Sequence, residues 1–492
     1  MLRLLAEMQD VSCFRKKPAM TKIINRYVLS SLMFLAVLAF YNPGHAWGQW
    51  QPQTYSPHNQ QNIQYIAQAN TNIAQNSIGI QAPAPQNSLP GTVALPSARN
   101  KSRQGLTIEQ VCELAIQNNP SVEQATRLME AHYGSWVQAG LKNNPMVGYL
   151  ADDMGGSNGA GRQGVTFSQE HVSRAKRDAR QGAASAEYQA AQRMLMVQRQ
   201  KVINDATLAA YRLLIAREKE YLSRELLKIS QNAASAANEL SQARETPKTD
   251  SLQAKIEMNR AQIALNDAVI EHEAAARALA VLMGWPEDMP LEIEDHLDHS
   301  PLEIDEIAVL RQWLADSPQL RQARAEWEAA RARLRSEQKE AGMNVSAEGG
   351  VYYNTYEKQT EFSAGVAVPL RFNNRNQGNI MKAQSEMTAA ARNMERVEKA
   401  LTAGFYQQFA EYKTADQRVA LYQESVLPDV EESLQLMMQS YQHGQSSYVE
   451  LMNVQRTLFQ VKMEYLDNLA LLMASNTKIA GYLLEGAFDR PE

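Results

Sequence analysis

The chain has 492 residues, 44% of them hydrophobic and only 7% aromatic, and a net charge of -5 at neutral pH. The acidic balance excludes a protein built to neutralise nucleic-acid phosphates. Two cysteines, Cys13 and Cys112, exclude a disulfide framework and a Cys-based zinc site, and the abundance of Ala, Gln, Glu and Arg suits long helices better than a compact α/β enzyme.

Residues 1–46 read as an N-terminal extension and signal peptide. Arg15, Lys16, Lys17, Lys22 and Arg26 precede the apolar run YVLSSLMFLAVLAF (27–40), and the following NPGHAWG places cleavage after Ala46, with Met20 as a second start. The run falls short of the about 20 apolar residues that span a bilayer, so an uncleaved anchor is the weaker reading. Residues 47–105 are rich in Gln, Asn and Pro, bury too little apolar surface to order themselves, and are predicted to be disordered.

Order is predicted from LTIEQVCELAIQNNPSV (106–122), where Thr107 and Gln110 make a capping box. The chain then divides into a first repeat, 106–300, a second, 301–486, and a tail, 487–492. Asn118-Asn119-Pro120-Ser121-Val122 corresponds to Asp316-Ser317-Pro318-Gln319-Leu320, a shift of 198, and both are X-Pro signals that open an Ala-, Glu- and Arg-rich helix. Each repeat next carries two strand candidates around a polar turn, PMVGYLADD with RQGVTFSQEHV and MNVSAEGGVYY with TEFSAGVAVPLRF. Each pair leads into a very long helix, 173–241 and 376–442, which at 1.5 Å per residue reaches about 100 Å. Turns at ETPKTD and HGQSS then give two more long helices, ending near Gly284 and Gly486.

The long helices carry alternating three- and four-residue spacings. Ile380, Ala383, Met387, Ala390, Met394, Val397 and Leu401 form one coiled-coil seam, and Leu451, Val454, Leu458, Val461 and Tyr465 another. A second stripe on the last helix, Met452, Phe459, Met463, Leu466 and Met473, predicts that it packs between two neighbours. The strands alternate: Phe362, Ala364, Val366, Val368 and Leu370 share one face, with small or polar residues between them. Length and pattern suit transmembrane β-strands. Four are too few to close a barrel, since small closed barrels need about eight, so several chains must pool them. An ordinary soluble sheet packed on helices is the competing reading.

With the duplication, the opening LTIEQVCELAIQNNP, the junction VPLRFNNRNQGNI and the closing YQHGQSSYVELMNVQRTLFQVKMEYLDNLALL in place, the chain resembles the TolC-like outer-membrane efflux channels over about 106–486. The resemblance implies a mostly α fold with a small β part: long antiparallel coiled-coil helices in an α-barrel, and four strands per chain in a 12-stranded transmembrane β-barrel shared by a homotrimer. It also implies a location in the outer membrane reaching into the periplasm, and work with a periplasmic adaptor and an inner-membrane pump in a tripartite efflux or type I secretion system.

The same resemblance assigns candidate sites. A pore gate falls on Glu450 and Asn453, where three Glu450 carboxylates would attract cations; the plainer reading of Glu450 is a helix N-terminal carboxylate favoured by the dipole. A tip latch falls on Asp250, Tyr441 and Ser446, with Arg244 or Lys248 as substitutes for the arginine that Ser446 replaces, while Asp250 alternatively caps the helix DSLQAK. At the junction, Pro369 ends the strand, and Asn376 and Gly378 turn the chain from strand to helix. Most methionines lie in helical stripes and read as core. His296 and His299, in EDHLDHS, read as a solvated acidic connector. The sequence carries no Gly-rich phosphate loop, HExxH or GxSxG, so neither catalysis nor a cofactor is predicted. The rival class is a periplasmic coiled-coil structural or adaptor protein.

Overall fold

The computed structural model describes residues 105–491 apart from 156–158, 245, 287–290, 296, 298–305 and 444. The signal peptide, most of the Gln/Asn/Pro-rich segment, His296 and His299 lie outside the described residues.

Two short helices, α1 (Ile108–Asn118) and α2 (Pro120–Gly140), lead into β1 (Met146–Asp152) and β2 (Arg162–His171), then α3 (Arg174–Gln242) and α4 (Lys248–Met283). The second repeat runs α5 (Glu306–Asp316), α6 (Pro318–Glu340), β3 (Val345–Asn354), β4 (Gln359–Ala367), α7 (Gln377–Leu421), a π turn (Tyr422–Val426), α8 (Leu427–Gln442) and α9 (Tyr448–Ala480). The shift of 198 that relates Pro120 to Pro318 carries Ile108–Asn118 onto Glu306–Asp316 and brings each later element close to its counterpart.

Local signals explain the boundaries. Thr107 Oγ1 accepts from the Gln110 amide, and the Gln110 side chain accepts from the Thr107 amide, which completes the predicted capping box. Asn119 and Ser317 cap α2 and α6, each followed by proline at the first helical position. Gly284, at φ +62°, ends α4 in a left-handed cap. The helix predicted over 376–442 contains Pro428, which lacks an N–H and crowds the preceding turn. The π turn just ahead of it, closed by the Leu427 amide on the Tyr422 carbonyl, widens the helix there and lets it continue.

Three expectations need correction. β1 has seven residues, shorter than its companions. α9 stops at Ala480 rather than near Gly486, because Asn204 of α3 donates to the Gly481 and Leu484 carbonyls and draws the chain back across α3. At the strand–helix junction β4 ends at Ala367, before Pro369, and the left-handed residue is Asn376 (φ +64°); Gly378 lies in the first turn of α7, outside the positive-φ positions.

Both heptad seams are buried or half-buried along their length. Core clusters form where the short helices and the C-terminal return pack on the long ones, and where α3, α7 and α9 meet at Ile215, Val419 and Leu472. Val111, Ala115, Leu213, Leu214, Leu279 and Met283 join α1, α3 and α4; Leu310, Trp313, Leu401 and Phe405 join α5 and α7. Ala254, Ala261 and Ala268, seven residues apart, are buried on α4, which packs along α3; side chains this small allow close approach. Among the described residues, no helix is long and apolar enough to cross a membrane.

Candidate functional site: sheet faces, strand–helix junction and helix tips

The four strands form one antiparallel sheet in the order β1-β2-β3-β4, so β1 and β4 are its edges. Register sorts the side chains. On one face Val147 lies beside Phe167, Tyr149 beside Val165, Val165 beside Val351, Val351 beside Phe362, and Ala347 beside Val366. This apolar face is uncovered: Phe362 is 79% exposed and Val366 73%.

The opposite face is small and polar. Gly148, Thr166, Gly350 and Ser363 form one row across all four strands. At the turn end, Arg162 grips Asp152 with two hydrogen bonds of 2.7 and 3.1 Å, reaches Glu361 at 3.3 Å, and lies 5.3 Å above the Tyr352 ring. Tyr352 is buried because its ring lies over Gly350, where an added Cβ would sit 2.4 Å from the phenol oxygen.

Where strands meet helices, the two repeats are tied by charge. Lys176 at the start of α3 is 3% exposed, donates to Asn344 at 2.6 Å and lies 3.6 Å from Glu340 at the end of α6. Arg180 binds the same carboxylate through both a short Nε contact and Nη2 at 2.9 Å. Burial alone would raise the Glu340 carboxyl, but the Arg180 hydrogen bond and the two cations hold it below its ordinary value. Asn376 donates to the Glu337 carbonyl at 2.9 Å and to its carboxylate at 2.7 Å, which fixes the left-handed turn.

At the other end of the long helices, Ser447 caps α9. Its amide donates to Glu450 at 2.9 Å, and its hydroxyl accepts from the Glu450 amide at 3.3 Å. Glu450 therefore occupies the N-terminal position that the plainer reading expects, and both Glu450 and Asn453 are exposed on one side of the first turns. Of the latch set, Tyr441 lies against Tyr448, with ring centroids 6.2 Å apart. Among the described residues the buried Ser446 hydroxyl makes no hydrogen bond. Asp250 is in the first turn of α4, after an N-cap at Pro247 that has no side-chain bond, so Asp250 is not the cap. Its side chain accepts from Thr249 at 3.3 Å, and among the described residues no hydrogen bond joins Asp250, Tyr441 and Ser446. Among the described residues Pro369 and Gly378 make no hydrogen bond comparable to those of Asn376; Pro369 lines a cleft shared with Arg180 and Arg371.

A tip contact absent from the sequence reading joins the repeats instead: Arg456 of α9 pairs with Glu257 of α4, which also takes Arg260 at 3.0 Å. Beside it the Tyr448 phenol is buried with no hydrogen-bond partner among the described residues and is pushed up to about 12, by burial first and then by Tyr441 and Glu257. Nothing local in the sequence marks a pair 199 positions apart. Cys112 packs in the core with its sulfur 3.3 Å from the Thr207 hydroxyl, and burial raises its thiol.

A family model described as outer membrane efflux protein matches residues 309–483. The cobalt-zinc-cadmium resistance protein CzcC of Cupriavidus metallidurans is 25% identical over 389 residues, which cover 79% of this chain and 92% of that protein. Among solved structures, CusC, studied for transmembrane channel formation, aligns with a TM-score of 0.63 at 16% identity, over 82% of this chain and 99% of its own. The open state of the MtrE outer membrane channel of Neisseria gonorrhoeae aligns with a TM-score of 0.62 at 18% identity, over 82% of this chain and 98% of its own. Residues 309–483 thus match the outer membrane efflux protein family model, and most of the chain shares the fold of solved outer-membrane channels.

Proposed function

We propose that the chain is the outer-membrane exit duct of a tripartite efflux or type I secretion system, conducting solute passively while a periplasmic adaptor and an inner-membrane pump supply direction and energy. The observation that carries this reading is the sheet: one face apolar and exposed, the other polar, and both edge strands unpaired on their outer side among the described residues. Unpaired backbone groups are not tolerated in lipid, and four strands cannot close alone. Three copies would supply twelve strands and leave a lumen lined by the polar face.

The helices support the same assembly. Leu252, Ile256, Ile263 and Ile270 form an outward stripe on α4 at spacings of four and seven, each more than half exposed in the single chain. A neighbouring copy's helices would cover it, continuing the barrel as a tunnel. The two repeats, 106–300 and 301–486, would each contribute one hairpin to that tunnel. At its tip, Glu450 and Asn453 would face the pore as a gate. The region of Asp250, Tyr441 and Ser446 would hold the tip closed, with Glu257 and Arg456 as its ionic tie. A ring of three Glu450 carboxylates favours cations, which makes divalent metal ions the first cargo to test, in keeping with the cobalt, zinc and cadmium of the relative's name.

The assembly is tested by the mass of the full-length complex extracted from membranes in mild detergent. Three copies per particle are expected; a monodisperse single copy that stays folded would overturn the shared barrel and favour a periplasmic scaffold.

A further inference from the structure

We propose that the second repeat's strand–helix junction is a binding site for a glycerophospholipid of the periplasmic leaflet, with the lipid phosphate on Arg371 and an acyl chain along Leu370 and Phe372. The proposal rests on the outer-membrane reading of the sheet and adds a ligand to it.

The chain between β4 and α7 keeps the strand's alternation after the ladder has ended. Val368, Leu370 and Phe372 continue the parity of Phe362 and Val366, and Leu370 and Phe372 are 73% and 74% exposed. A soluble junction has no use for two such exposed side chains in a segment rich in Asn and Arg. They prolong the lipid-facing stripe below the last hydrogen-bonded pair, at the helix end of the sheet, which is the level of the headgroups.

Behind them lies a cleft of about 750 Å³. Pro369, Leu370 and Phe372 form its apolar side, and Arg180, Arg371 and Asn376 belong to its polar side. The two acids there are occupied: Glu340 is held by Arg180 and Lys176, and the Glu337 carboxylate accepts from Asn376. Arg371 is different. One of its nitrogens donates to the Glu340 backbone carbonyl at 3.2 Å, and it makes no ion pair among the described residues. A cation with spare donors beside two exposed apolar side chains complements a molecule that is a phosphate at one end and hydrocarbon at the other. The first repeat lacks the site, because α3 starts at Arg174 directly after β2 ends at His171. The expected stoichiometry is therefore one lipid per chain.

The test is native mass spectrometry of the full-length complex released from nanodiscs and titrated with dioleoyl phosphatidylglycerol. Saturable binding of one lipid per chain is expected, with affinity falling about tenfold in Arg371→Gln, the loss of one charge-assisted hydrogen bond. Phe372→Ser should weaken binding as well, and it carries the test if Arg371→Gln fails to assemble. Arg392→Gln, on the exposed flank of α7, should leave binding unchanged. Equal lipid affinity in wild type, Arg371→Gln and Phe372→Ser would overturn the proposal. So would full displacement of the lipid by inorganic phosphate with no effect of Phe372→Ser, which would mark a plain anion site. A chain that never enters the nanodisc would instead refute the membrane reading itself, an outcome visible as missing complex rather than missing lipid.

Discussion

Arg456 on α9 pairs with Glu257 on α4, so the tips of the two repeats are joined by an ion pair whose carboxylate is 13% exposed and whose arginine is half exposed. A pair at this degree of exposure contributes up to about 1 kcal/mol. If it helps to hold the tip closed, Arg456→Gln should raise the open probability of single channels several-fold with little change in melting temperature. Planar-bilayer recordings check this, and an unchanged open probability would reduce the pair to a surface contact.

Glu450 caps α9 and, in the proposed assembly, rings the pore, and one substitution separates the two. Gln serves the capping box as well as Glu does, so Glu450→Gln should keep α9 and its thermal stability while removing the ring of charge. The reversal potential in a salt gradient should shift toward lower cation preference, most clearly at low ionic strength, where screening is weak. Glu450→Ala should lose the preference and also about 1 kcal/mol of stability through the broken cap.

Glu340 gives the junction a pH dependence with a definite sign. Its carboxyl titrates lower in the folded chain than in the unfolded one. The stability it contributes is therefore present above the ordinary carboxylate range and is lost as pH falls through its depressed folded value. At neutral pH, Glu340→Gln leaves the buried Lys176 without its carboxylate and should cost about 3 kcal/mol. Wild type and variant should converge in strongly acidic buffer, read by denaturant unfolding in detergent across pH.

The junction turn gives a backbone test. Gly378 is helical and a Cβ there meets open space, so Gly378→Ala should be neutral or stabilising by about 0.5 kcal/mol. Asn376 sits at φ +64°, where a β-branched side chain is strained, so Asn376→Val should cost about 2 kcal/mol. Thermal melts of the two variants rank the positions, and the reverse order would return the turn to Gly378.

Where the sequence was readable, the signal was periodic or local. The seams from Ile380 to Leu401 and from Leu451 to Tyr465 follow heptad spacing, Thr107 and Gln110 cap a helix within four residues, and Gly284 ends one. The helix predicted over 173–241 is Arg174–Gln242. What stayed hidden depended on contacts across the chain. Asn376 and Gly378 both tolerate a left-handed turn, and only the Glu337 partner across the junction selects Asn376. The last helix ends early because Asn204, far back in α3, captures its terminal carbonyls. Glu257 and Arg456 meet through the packing of two hairpins, which no window of sequence contains. Pro428 gave a helix-breaking signal that the π turn absorbs, and the sequence does not state how.

If copies of this chain close a conducting pore, as proposed, the purified full-length protein carries single-channel current in a planar bilayer. Discrete, uniform openings whose cation preference falls in Glu450→Gln are predicted. Folded protein that neither inserts nor carries current would contradict the claim and leave a periplasmic scaffold as the account of these helices.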